Sequence, residues 1–126
     1  VYPLDPEFVV CCDSDDSTFR FPEIGVGEER VLTFDFSSDL LPGEGLIDTP
    51  VVSVSTTAGD DGTPTDVLNG AAEYNAVVAP ATPTQVQQPV SGANAQPGFD
   101  YFFSVTAQTS NPQKVLGRYA ILPIRG

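Results

Sequence analysis

Two clusters of hard oxygens are the first candidates for chemistry, Asp13-Ser14-Asp15-Asp16-Ser17 and Asp60-Asp61-Gly62. Oxygen-rich loops are what calcium takes. Neither cluster matches an EF-hand loop, which needs a glycine at its sixth position and a bidentate glutamate at its twelfth. Both read as solvated loops, and no metal is expected. The chain has no histidine, which removes the Ser-His-Asp and Cys-His nucleophile arrangements. Seventeen acids among 126 residues make chance carboxylate pairs common, so acid–base pairing of the glycosidase kind has no specific signal. Gly25-x-Gly27 and Gly43-x-Gly45 lack a following lysine or an opening helix, and neither resembles a phosphate loop. No catalytic residue and no cofactor are expected; the chain does not read as an enzyme.

The two cysteines, Cys11 and Cys12, are adjacent. Neighbouring Cα atoms lie about 3.8 Å apart, closer than ordinary disulfide geometry allows. Without histidine or further cysteines, the zinc spacings cannot be assembled in one chain. Reduced thiols in a reducing cytoplasm are the expectation.

Charge is the stronger compositional signal. The net charge is −12, and it is unevenly spread. Residues 1–66 hold fifteen acids against Arg20 and Arg30, a net of −13. Residues 67–126 hold Glu73 and Asp100 against Lys114, Arg118 and Arg125, a net of +1. Phosphate binding relies on clustered Lys and Arg, so nucleic acid is not an expected partner. The acidic half suits docking on a basic protein surface or head-to-tail contact between copies, with Asp48, Asp60 and Asp61 as candidate docking loops. Solubility alone would also account for it. No stretch approaches the length of a membrane span, and no membrane partner is expected.

The elements that must position these residues are short and β-like. Proline and glycine contribute 23 residues without a period, punctuating alternating apolar segments as in an all-β chain. Leu32, Phe34 and Phe36 share one side of a strand; Leu41-Pro42-Gly43-Glu44-Gly45 is a turn; Pro50 to Thr57 alternates, with Val52 and Val54 inward. Tyr74 to Val78 is a short strand, and Pro89 demotes Thr84–Ser91 to an edge or bulged strand. Phe99–Thr109 and Leu116–Ile124 have the lengths and spacing of a hairpin. The expected core is Leu32, Phe34, Phe36, Val52, Val54, Tyr101, Phe103, Val105, Tyr119 and Ile121.

Residues 1–18 read as an arm preceding a sandwich domain at 19–126. Pro3 and Pro6 restrict an extended start, and Tyr2, Leu4, Phe8 and Val10 supply apolar contacts to a neighbouring chain. The alternative is that Phe8-Val9-Val10 is simply the first strand of the domain. The most informative stretch is Gln96 to Ala107. There a Pro97-Gly98 corner leads into a strand with Tyr101, Phe103 and Val105 on one face. In two-sheet sandwiches a tyrosine at this place folds under the preceding corner, its hydroxyl bonded to backbone there. The corner resembles that of immunoglobulin-like and fibronectin III-like domains, and the expected fold is such an antiparallel β-sandwich with an N-terminal arm. The plainer alternative is that Tyr101 is simply an amphipathic core residue.

The run Glu28 to Ile47, with Phe34-Asp35-Phe36, the Pro42-Gly43 turn and Leu46-Ile47, resembles small immunoglobulin-like virion proteins of tailed bacteriophages, the fiber–tail adaptors. Val86 to Gly92, Pro97-Gly98-Phe99-Asp100-Tyr101, Val105 to Ser110 and Tyr119–Ile124 resemble their second half. Asn111-Pro112 departs from that pattern, which tends to carry a glycine after Thr-Ser, and residues 1–20 have no counterpart in it. The resemblance implies a non-enzymatic virion protein assembled in the bacterial host cytoplasm. Such a protein joins a neck or tail ring to fibers or neighbouring subunits, as a homo-oligomeric ring in the particle. A capsid decoration or cement protein of the same fold is one alternative. A carbohydrate-binding sandwich is the other, although the chain has no tryptophan and its four tyrosines, Tyr2, Tyr74, Tyr101 and Tyr119, are scattered.

Overall fold

The structure is a computed structural model that describes residues 6–10, 19–76 and 83–125. Its elements are nine strands: β1 (Val9–Val10), β2 (Phe19–Arg20), β3 (Ile24–Gly25), β4 (Glu29–Asp35), β5 (Leu46–Ala58), β6 (Glu73–Ala76), β7 (Pro83–Ser91), β8 (Asp100–Thr109) and β9 (Val115–Arg125). Among the described residues there is no α-helix; four 3₁₀ turns of three or four residues punctuate the chain. One sheet runs β1-β4-β7-β6 and the other β2-β9-β8-β5, with β3 also on β9. This is an all-β, two-sheet architecture. The sheets are mixed and not purely antiparallel, because β1 on β4, and β2 and β3 on β9, pair in parallel.

The core lies between the two inner faces. Leu32, Phe34, Phe36, Val86 and Val90 from the first sheet meet Val54, Tyr101, Phe103, Val105, Ala120, Leu122 and Ile124 from the second, all buried. Strand β8 shows why: its burial alternates without a break from Asp100 to Thr109, as a period of two demands when one face is covered. The Pro97-Gly98 corner has Gly98 at φ +81° and Phe99 N–H donating to Gln96 C=O at 3.3 Å. A turn with proline second and a positive-φ glycine third is the type II signature.

Three expectations need correction. The inward face of β9 is Ala120, Leu122 and Ile124, not Tyr119 and Ile121. Register decides it, since Phe103 pairs with Ala120 and Tyr101 with Leu122. That face also carries Arg118, opposite Val105. Its guanidinium lies 4.7 Å over the Phe36 ring and donates to Asp39 at 2.7 Å. A long stem covering apolar surface with its head at the rim makes the arginine tolerable there.

Strand β7 is not an edge strand, having β4 on one side and β6 on the other despite Pro89; it is irregular instead at its start, where its pairing with β6 shifts between Asn75 and Ala76. Pro89 C=O accepts from Asn69 N–H at 3.1 Å, and Val31 is its β4 partner. A residue's nitrogen and carbonyl point to the same side of a strand, so the missing N–H faces away from β4. On that side β6 has already ended, pairing only with Pro83 to Gln87, and only the isolated bridge of Leu68 with Val90 continues. The proline therefore costs at most the one return bond to Asn69, and not the ladder with β4.

Phe8 and Val10 belong to this chain's own core. Both are buried; Phe8 stacks on Phe21 at 5.7 Å, and Val9-Val10 pair with Thr33-Phe34. Short apolar runs bury best against the nearest open sheet edge, and β4 provides one. The first strand of the fold therefore starts inside the segment read as an arm, and these two side chains are already committed within the molecule. Tyr2 and Leu4 lie outside the described residues.

Candidate functional site

Outside the core, the second sheet presents an outward face whose composition departs from the rest of the molecule. Pairing registers place its residues in four rows: Ile121-Phe102-Ser55, Tyr119-Ser104-Ser53, Gly117-Thr106-Val51 and Val115-Gln108-Ile47. None of these residues is charged, in a chain of net charge −12. Val51 and Val115 are 59% and 61% exposed and Tyr119 49%. The Tyr119 ring lies nearly parallel to Phe102, with centroids 6.1 Å apart and planes at 10°. Gly117 makes room for that posture, since a Cβ there would stand 3.3 Å from the Tyr119 hydroxyl. At one end the face is closed by Arg20 and Asp100, 3.4 Å apart.

All five bases of the chain are committed to acids. Besides Arg20, Arg30 and Arg125 both meet Glu28 at 2.9 and 3.2 Å, Lys114 meets Glu44 at 2.7 Å, and Arg118 meets Asp39. Glu28 also accepts the Gly25 amide, the main reason its carboxyl lies below the ordinary value, with Arg30 and Arg125 adding to it. The Gly25-x-Gly27 pair is thus a turn closed by a carboxylate of the same chain. Lys114 donates to Glu44 and, with the Leu41 amide, holds that carboxyl low as well.

The sequence-derived candidates fall at separate places. Asp48 is not in a loop but within β5, at φ +62°, where the pairing with β8 shifts between Ile47 and Val51. Asp60 is exposed just past the other end of β5. Asp61 is half-buried and serves the fold: it accepts from the Tyr101 hydroxyl at 2.6 Å and the Thr63 amide at 2.9 Å. Those two bonds hold its carboxyl low. The Tyr101 hydroxyl also accepts from Gln96 N–H at 2.8 Å, which is the corner bond the sequence led us to expect. Asp13 to Ser17, Cys11 and Cys12 lie outside the described residues. Among the described residues no group of three His, Cys, Asp or Glu side chains is placed to hold a metal ion, and no helix is long and apolar enough to cross a membrane.

The uncharged face was not singled out from sequence, although its signal is there. Between Thr49 and Ala58, and between Tyr101 and Gln113, no charged residue occurs. Reading those gaps as one surface needs the pairing of β5 with β8. No protein-family model, no curated protein and no solved structure matches this chain.

Proposed function

We propose that this chain is an immunoglobulin-like, non-enzymatic structural protein of a tailed bacteriophage, an adaptor at the neck or tail that docks on neighbouring virion proteins. Support for the fold comes from strand order. β1-β4-β7-β6 and β5-β8-β9 follow the ABED and CFG order of constant-type immunoglobulin sandwiches. Tyr101, at the start of the sixth strand of that order, bonds backbone five residues upstream as corner tyrosines do. β1 departs from the plan by running parallel to β4.

The observation that carries the function is the uncharged outward face of the second sheet. An exposed patch of apolar and hydroxyl side chains on a strongly acidic body suits protein contact, and the five bases, each beside an acid, form no basic cluster of the kind that nucleic acid needs. With the resemblance of residues 28–47 and 86–124 to phage adaptors, this favours assembly over catalysis. In the particle the copies form a ring, joined to a neck or tail ring and to fibers. Gold labelling of a tagged copy on intact particles tests it, with label expected at the neck or tail. Label over the whole shell would make it a decoration protein, and its absence from particles would overturn the reading. Tyr119 favours a second reading, a sugar stacked on its exposed ring; binding on a glycan array that is lost in Tyr119→Ala would establish that one instead.

A further inference from the structure

From the shape of β5 and the charges at its two ends we infer that its free edge accepts an added strand from another protein, an extended, uncharged segment with Lys or Arg at both ends. The inference deepens the assembly reading by naming the chemistry of the partner. It concerns the strand's edge, where backbone groups point, and not only the face beside it.

Among the described strands, β5 is the last of its sheet. The other terminal strands, β1, β2 and β6, have two, two and four residues. Short edges of that kind are one of the ways proteins avoid unwanted pairing. β5 has thirteen residues. Between its two register shifts, Val51 to Thr56 pair with β8 without interruption. That stretch itself holds no charge and no proline, two other protections of an edge, while the bulge-like register shifts and Pro50 lie at its ends. Among the described residues no strand pairs with the outer side of Val51 to Thr56, whose N–H and C=O groups form a template for strand addition.

Charge selects the occupant. Asp48 and Asp60 bracket the regular stretch, both exposed, and every base of the chain is paired with some other acid. A second copy pairing antiparallel about Ser53 and Val54 would bring Asp48 of one chain beside Asp60 of the other. A parallel arrangement would set each acid against its own equivalent. Like charges directly opposite across a pair of strands are destabilising, so self-pairing is opposed in either direction. A foreign strand with basic ends meets both acids favourably, and its uncharged middle matches the uncharged residues 49–59 between them.

The test uses the whole protein and two synthetic peptides. Each has alternating Thr and Val over about ten residues, the span of the bracketed edge; one ends in Lys pairs, the other in Glu pairs. Amide shifts and hydrogen exchange are followed on titration. The Lys-ended peptide should protect alternate amides of residues 51–57, and its affinity should fall as salt rises. The Glu-ended peptide should not bind. Asp48→Asn with Asp60→Asn should weaken the Lys-ended peptide several-fold at unchanged thermal midpoint, asparagine being tolerated at the positive φ of position 48. Equal binding of both peptides, protection elsewhere, no binding at millimolar peptide, or protection of the same amides by the protein's own dimerisation would each overturn the inference. None of these results depends on finding the protein in particles, so the assembly reading and this one fail separately.

Discussion

The Tyr101 hydroxyl donates to the Asp61 carboxylate at 2.6 Å, joining residues forty apart in sequence, while accepting the Gln96 amide. One oxygen thus ties the loop after β5 and the corner before β8 to the same buried ring. Removing it leaves both partners short of a bond. Tyr101→Phe should cost roughly 1–3 kcal/mol, as for a buried bond to a charged group, and Tyr101→Ala roughly 3–5 kcal/mol through the added cavity. In a double-mutant cycle, Tyr101→Phe and Asp61→Ala should be non-additive, measured by urea unfolding. Full additivity would mean that the pair does not interact in solution.

The same contact sets the alkaline limit. Burial first, and then the Asp61 carboxylate, push the Tyr101 phenol up to about 12 from an ordinary value of 10.0. The folded protein therefore keeps a proton that the unfolded chain releases as pH passes 10. Stability falls from there until the folded value is reached, by on the order of 2 kcal/mol. Absorbance titration should show a phenol that ionises well above the ordinary value of 10.0. In Tyr101→Phe the late ionisation should vanish and the fall of stability above pH 10 should flatten.

At the acid end the sign reverses. Glu28, Glu44 and Asp61 are held below their ordinary values, chiefly by the Gly25 amide, the Lys114 ammonium and the Tyr101 hydroxyl respectively. Near pH 4 the unfolded chain binds protons that the native state refuses. Their contribution is complete above the unfolded values of 4.5 and 3.8 and is lost as pH falls through the depressed ones. The stability difference between wild type and Glu28→Gln should accordingly shrink from pH 6 to pH 3 in denaturant unfolding. A difference that stays constant over that range would remove the carboxylate from the account.

Which parts of this were legible in the sequence follows from how local their causes are. The Tyr101 corner was legible because Pro97, Gly98 and the alternation that follows fix it within a dozen residues. Asp61 as its partner was not, because nothing local links the two. The β9 face was misread because both of its faces are apolar, and placing Arg118 inward looks costly until Phe36 and Asp39 are brought beneath it. Phe8 and Val10 were misassigned because a two-residue strand carries no periodicity; only the open edge of β4 reveals their destination. Asp48 was taken for a loop residue because the alternation begins only at Pro50, whereas β5 absorbs it in a register shift.

Arg118 separates packing from charge. Its Nε is buried without a hydrogen-bond partner, its side chain is 12% exposed, and Asp39 sits at the surface. Arg118→Met keeps a stem over Phe36 and removes the unsatisfied nitrogen, so it should change stability by less than about 1 kcal/mol. Arg118→Ala uncovers the ring and should cost roughly 2 kcal/mol. Equal losses in the two variants, by thermal or urea unfolding, would place the value of Arg118 in its charge instead of its cover.

The assembly reading can be separated from folding on the outward face itself. Val51 and Val115 stand at the exposed rows of β5 and β9, more than half open to solvent, and contribute little to the core. Lysine at either position places a charge in a region that has none and lowers the net negative charge by one unit. Surface changes of this kind alter stability by about 0.5 kcal/mol or less. Burying the new charge against an uncharged partner surface costs several times that. Val51→Lys and Val115→Lys should therefore unfold like wild type yet fail to incorporate when they are the only copy supplied to assembling particles. Asn94→Lys makes the same charge change at an exposed turn off the face, and it should incorporate normally. Normal incorporation of both valine variants would move the attachment surface away from this sheet, and failure of all three would assign the effect to net charge.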